Sequence, residues 1–252
     1  MSNPSKFYLA HMHNKTKYRA TWDPTKRFKV GDIGKLEQGV LNIYTSLYKE
    51  GILIEMSKGS RGAAMDYTSH ESVTIKVKLK GTVPATGSEF TTLDAGFSFD
   101  FKGNNSIVFQ TSNHQVCQLI NLAEIEHAVL EKYNQGNWDK DWVIITELIE
   151  ADTATIIISN SSNGILELKA SANLGTGTLT LTDAALGLSV LHEKGSTFKY
   201  IAQNEITPLY RVMGLRSAFL SNLSIGTRGQ LKYVVSDERL EILDYDEREH
   251  SE

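Results

Sequence analysis

Ser72-Val-Thr-Ile-Lys-Val-Lys-Leu-Lys80 is the stretch on which the fold turns. Successive side chains on a strand point to opposite faces. Val73, Ile75, Val77 and Leu79 therefore share one face, and Ser72, Thr74, Lys76, Lys78 and Lys80 share the other. Such a strand suits a half-buried sheet. It equally suits a transmembrane β-barrel, with one face toward lipid and the other toward water. Phe97-Ser-Phe-Asp-Phe-Lys102 and Ser106-Ile-Val-Phe-Gln110 complete a first hairpin-like unit. A second runs through Ala154–Ser159, Ile165–Ala172, Thr178–Thr182 and Leu186–Leu191, with Ser161-Ser-Asn-Gly164 read as a tight reversal.

Outward from these units, Asp23-Pro24 signals a turn, and Tyr8-Leu-Ala-His11 fits a strand or a short helix equally well. Val30–Leu36 and Val40–Thr45 read as short strands. Residues 57–66 have the small, polar composition of a mobile loop. A helix is expected with Asn113 as N-cap and with Val116, Leu119, Ile120, Ala123, His127 and Leu130 at helical spacing, ending near Gly136. The nearly continuous apolar run Trp142–Glu150 predicts a central strand. Leu209–Leu223 suggests a helix and Gln230–Val235 a short strand. The sum is an α+β fold, a twisted and mainly antiparallel sheet with helices packed on it. One domain is expected over residues 1–235, followed by an acidic tail at 236–252.

Net charge is only −4 over 252 residues, which gives no global pull toward nucleic acid or membrane. Its distribution is uneven. Lys6, Lys15, Lys17, Arg19, Lys26, Arg27 and Lys29 face only Asp23 in the first 29 residues, whereas the chain from Asp237 onward is strongly acidic. Cys117 is the sole cysteine, so no internal disulfide can form; a reducing compartment and a buried thiol are expected. No signal peptide and no run of about 18 apolar residues is visible. The start Met-Ser lacks a myristoylation glycine, and no cysteine lies near either end. These features lead to the expectation of a cytoplasmic protein.

Catalytic constellations are missing. The chain has no Walker loop, no dinucleotide fingerprint, no nucleophile elbow and no kinase set. His11 and His13 would share a face on a strand but lack a third ligand nearby; His70, His114, His127, His192 and His250 are scattered singly. Neither an enzyme nor a metal or cofactor is expected. Nucleic acid is not expected as a partner either, since no recognition helix or ribonucleoprotein motif accompanies the basic head.

Two strings carry a resemblance. Trp142-Val-Ile-Ile-Thr-Glu147 resembles a core strand of the gasdermin pore-forming domain, and Glu193-Lys-Gly-Ser-Thr-Phe-Lys-Tyr-Ile-Ala202 resembles a later segment of it. Between them Thr153–Val190 takes the place of that family's second membrane-inserting hairpin, and Ser72–Gln110 that of the first. A single-domain chain of this size is most similar to the fungal regulators of cell death, which act in allorecognition by pairing with an incompatible variant. Bacterial relatives carry a lipidated cysteine near the start, and this chain departs from that pattern.

The resemblance implies a pore former that binds acidic phospholipids through the basic head, oligomerises with itself or a variant, and moves from cytoplasm to plasma membrane. It implies membrane-inserting roles for Val73, Ile75, Val77, Leu79, Phe97, Phe99, Phe101, Ile156, Ile158, Leu166, Leu168, Leu179, Leu181 and Leu188. The competing expectation is a soluble β-rich interaction module that never enters a membrane.

Overall fold

Val143–Ser159 forms one strand, β9, buried at most of its positions, and the rest of the chain is laid along it. In the computed structural model residues 4–23, 26–69, 72–171, 180–181, 187–195, 197–217 and 238–243 are described. The other strands are β1 (Arg19–Ala20), β2 (Asp32–Glu37), β3 (Val40–Ser46), β4 (Met56–Lys58), β5 (Ala63–Thr68), β6 (Val73–Lys78), β7 (Gly96–Phe101), β8 (Ser106–Leu119), β10 (Gly164–Lys169), β11 (Ser189–Lys194), β12 (Thr197–Ser217) and β13 (Glu238–Ile242). Helices α1 (Pro4–Thr16) and α2 (Leu122–Asn134) pack on them. None of the described helices is long and apolar enough to cross a membrane.

One edge of β9 runs against β12 from Val143 to Ser159. The other edge is shared by β8 and, at Val143 and Ile144, by β2. With β1, β3, β4, β5 and β13 this makes a nine-stranded sheet; β6, β7, β10 and β11 make a second sheet of four. Every pairing is antiparallel, the mainly antiparallel α+β architecture expected from the alternation.

Three apolar clusters hold the layers. Tyr8, Leu9 and Met12 of α1 cover Ile107, Phe109, Ile156 and Ile158. The four-stranded sheet turns Phe97, Phe99, Phe101, Leu166 and Leu168 onto Val108 and Ile157. Ile125 and Val129 of α2 close over Cys117, Leu119, Ile144 and Leu148. Burying a side chain of this size stabilises the fold by about 1.5–3 kcal/mol, so these layers outweigh any single polar contact.

Several expectations are corrected. Residues 57–66 are no loop: β4 and most of β5 lie there, paired with β8. The expected helix from Asn113 begins only at Leu122, because Gln115 to Leu119 continue β8, paired with β9 and β4. Asn113 has a left-handed backbone (φ 47°) within the strand, and the buried face of α2 is Ile125 and Val129 rather than Ala123 and His127. Leu209–Ser217 is strand, the end of β12, and residues 218–223 of the expected helix lie outside the described residues. Ser161–Gly164 does not reverse the chain onto β9; it passes the chain into the second sheet, where β10 pairs with β7 and β11. Tyr8–His11 is helical. Glu238–Ile242, within the expected acidic tail, pairs with β12. The expected strands at Thr178–Thr182 and Gln230–Val235 fall wholly or largely outside the described residues.

Candidate functional site: a four-strand sheet creased at one level

The two sheets are continuous along the chain. β5 leads into β6, β7 into β8, β9 into β10, and β11 into β12. Pairing is preserved across the joint. Phe101 lies opposite Gly164 in the smaller sheet, and Ser106 lies opposite Ser159 in the larger one. Residues 102–105 on one strand therefore face residues 160–163 on the other, an equal number. β6 on β7 continues β5 on β8 with a small offset: residues 69–72 separate Thr68 from Val73, and 102–107 separate Phe101 from Val108. On the far side, Ile165 pairs with Lys194 and Ser159 with Thr197, so five residues separate the partners on one strand and two on the other. The lower half of the larger sheet and the whole of the smaller one are thus a single four-strand meander, folded over on itself along one line.

Backbone geometry at the crease explains which face is hidden. Counted by alternation, Phe97, Phe99 and Phe101 belong with Ile107 and Phe109, and Leu166 and Leu168 belong with Ile156 and Ile158. In the folded chain they do not share a face. Ile107, Phe109, Ile156 and Ile158 turn toward α1, while the Phe and Leu side chains turn onto Val108 and Ile157 from the other side. Asn105 (φ 62°) and Asn163 (φ 63°) supply the inversion, each left-handed and each the last residue of its crease segment. Asparagine is among the few side chains that enter this region readily. On the fourth strand Gly195 has φ 100°, and a Cβ there would stand 2.9 Å from the Ser161 side chain.

Of the apolar residues singled out in the sequence, Val73 and Ile75 are half-buried against the hidden face, and Phe97, Phe99, Phe101, Leu166, Leu168 and Leu181 are buried in it. Leu188 packs partly against them. Val77 and Leu79 are largely exposed near the open end of the hairpin, at 51% and 39%. Ile156 and Ile158 lie under α1, and the residue of β9 that meets the Phe cluster is Ile157. Leu179 lies outside the described residues.

On the outer face of the smaller sheet, residues 79–95 fold over a cavity of about 280 Å³ bordered by Lys76, Ser98, Asp100 and Glu167. The Glu167 side chain, 2% exposed, accepts from the Glu89 amide. Lys169 meets Asp94 at 2.5 Å, Lys78 Nζ donates to the Asp94 carbonyl, and the Thr91 amide and hydroxyl donate to Asp94 Oδ2. Lys169 and the Thr91 donors hold the Asp94 carboxyl well below the usual carboxylate range. This clip ties the loop of the first hairpin to a strand of the second.

Among the basic residues, Lys6, Lys15 and Lys17 are exposed on α1 or just after it, and Lys26, Arg27 and Lys29 are exposed in the following loop. The two groups are anchored close together on β12: Arg211 Nε donates to the Lys17 carbonyl, and Thr207 Oγ1 donates to the Lys26 carbonyl. Arg19 is 3% exposed and directs Nε to the Leu243 carbonyl, so it faces inward, beside the end of β13. Tyr18 donates to Glu147, which also pairs with Arg211 at 3.1 Å, and the Arg211 guanidinium lies 4.2 Å over the Tyr18 ring. Burial, then the Glu147 contact, pushes the Tyr18 hydroxyl up to about 12.

The remaining reactive groups are occupied structurally. Burial, reinforced by Glu150, raises the Cys117 thiol to about 11, which makes it a poor nucleophile. His11 lies on α1 against Tyr67, and His13 is buried, so the two do not form a pair on one strand face. Sequence reading missed the Glu147–Tyr18–Arg211 group and the Asp94 clip, whose members lie far apart in the chain. The crease had a visible signal in Asn105 and Asn163, each ending a short polar break between apolar strands.

No family model matches the chain, and no curated protein matches it. Among solved structures, one described as the cryo-EM structure of the Gasdermin A3 membrane pore is similar at a TM-score of 0.37 and 11% identity, covering 85% of this chain and 90% of that one.

Proposed function

We propose that this chain is a membrane pore former: it binds acidic phospholipid through its exposed basic residues, assembles with copies of itself, and straightens its creased sheet into a share of a transmembrane β-barrel. The observation that carries this reading is the equal spacing across the crease, 102–105 against 160–163, with the left-handed Asn105 and Asn163 inside it. If both asparagines become extended, Phe97, Phe99, Phe101, Ile107 and Phe109 fall on one face, beside Leu168, Leu166, Ile158 and Ile156 on the next strand. A stripe from Phe97 to Phe109 exceeds the roughly 9–11 residues a tilted strand needs to cross a bilayer.

Two further features support assembly. Among the described residues β5 and β6 pair on one side only. Among the described residues β1 and β13 cover the outer edge of β12 from Leu209 to Ser217 and nothing pairs with it further toward Thr197. Both edges of the meander can therefore take a neighbouring copy, and closure into a ring is required because unpaired backbone in lipid costs several kcal/mol per group. The sequence resemblance to the gasdermin pore-forming domain points the same way. Under this reading the chain resides in the cytoplasm until it acts at the plasma membrane, and pairing with a variant, as in fungal allorecognition, is the partner class the resemblance favours. An enzymatic role forms no part of the proposal.

Dye release from liposomes with and without anionic lipid, at low and moderate salt, tests it. Release that requires the anionic lipid and weakens with salt is expected. Val77 is already half exposed, so Val77→Arg leaves the folded chain intact while placing charge on the lipid face, at up to about 2–4 kcal/mol per copy; release should fall sharply with the melting temperature unchanged. Undiminished release by that variant defeats the hairpin assignment. Absence of both lipid binding and release favours the soluble interaction module.

A further inference from the structure

The face of the meander opposite the apolar stripe has an uneven charge pattern, which sets what the proposed pore would pass. This inference rests on the pore reading. Register arranges that face in rows across the four strands. Lys78, Gly96, Lys169 and Ser189 form the row nearest the hairpin ends. Lys76, Ser98, Glu167 and His192 form the next, and Thr74, Asp100, Ile165 and Lys194 the third. The second and third rows each hold one lysine and one carboxylate. The first holds two lysines and no acid. Lys80 and Asp94, next along the strands, balance each other.

In the folded chain this imbalance is masked. Lys78 and Lys169 both reach Asp94, one at its carbonyl and one at its carboxylate, beneath the loop at 79–95. Repetition by symmetry would turn the lysine row into a ring of two positive charges per copy. Barrel interiors are polar, and rings of Lys or Arg favour anions.

We infer that the pore lumen is positive near the hairpin ends and passes anions and acidic solutes in preference to cations of the same size. The field of such a ring reaches about 10 Å at 0.1 M salt and about 30 Å at 0.01 M, so the preference is to be read at low salt.

The test uses the full chain in planar bilayers under a potassium chloride gradient. The reversal potential should lie on the chloride side. Lys76 and Lys194 are both exposed in the folded chain. Lys76→Glu with Lys194→Glu reverses the sign of the lumen's net charge and should move the reversal potential to the potassium side, with melting temperature unchanged. Release of matched anionic and cationic dextrans from vesicles should show a several-fold preference for the anionic one, inverted in the double variant. Conducting pores that are unselective or cation-selective at low salt overturn the lumen assignment and leave the pore reading standing. So does a reversal potential that the double variant fails to move. Absence of conductance overturns the pore reading and the lumen with it.

Discussion

Asn105 and Asn163 hold the crease, and their backbone angles make them separable from the packing around them. A β-branched side chain is a steric outlier at positive φ, whereas glycine enters that region freely. Asn105→Val and Asn163→Val should each destabilise the creased form by about 1–2 kcal/mol. That corresponds to a fall of about 2–8 °C in melting temperature at this chain length. Both changes should speed dye release, since the extended form loses nothing. Asn→Gly at either position should leave the melting temperature nearly unchanged and keep release at or below the parent rate. Equal release rates for the valine and glycine variants would mean that these residues do not gate straightening. Tyr8 gives a second residue-scale expectation. Its hydroxyl is buried with no hydrogen-bond partner among the described residues. An unsatisfied buried group costs about 1–3 kcal/mol, so Tyr8→Phe should raise the melting temperature.

At the level of elements, the Asp94 clip is an acid-labile fastening between the two hairpins. The folded carboxyl is held below its ordinary value by Lys169 and Thr91, so its contribution is complete above the unfolded range near 3.9 and is lost as pH falls through the lower folded value. The protection of the amides in residues 79–95, the ratio of intrinsic to observed exchange rate at each pH, should therefore be high at neutral pH and decline as pH falls below about 4. Asp94→Asn should show low protection there already at neutral pH and little further loss of protection on acidification. Sequence reading recovered strands whose apolar residues alternate or run together: β2, β3, β6, β7 and the apolar run that opens β9. It failed where a strand carries a polar middle. Thr111-Ser-Asn-His-Gln115 looks like a loop and a helix cap, yet β9 supplies the pairing partners that make it strand. Leu209–Ser217 failed for the same reason, its helical spacing overridden by the edges of β9 and β13.

For the molecule as a whole, the membrane attraction proposed above would depend on the exposed lysines and Arg27 rather than on net charge. Each contributes about 1 kcal/mol near an anionic surface. Reversing Lys26, Arg27 and Lys29 to Glu should weaken binding to anionic vesicles by at least about 10²-fold at low salt, with little effect on neutral vesicles. Cosedimentation reads both. Half of the candidate site was legible in the sequence, because alternation assigns faces without any structure. What alternation cannot say is that a strand stops, inverts and continues. Ile156 and Leu166 are ten residues apart on the same nominal face, yet they pack on opposite sides of the sheet.

The matched segments 102–105 and 160–163 also limit how chain length can change. Removing one residue from either would shift every later side chain to the other face, moving Phe97, Phe99 and Phe101 or Leu166 and Leu168 out of line with their neighbours. Deleting Lys102 alone should leave little folded protein. Deleting Lys102 together with Ser162 restores the pairing count across the joint and keeps both left-handed asparagines. Natural relatives of this chain should therefore gain or lose residues here in pairs, one on each strand, and a catalogue of their lengths would reveal the joint before any of them is crystallised.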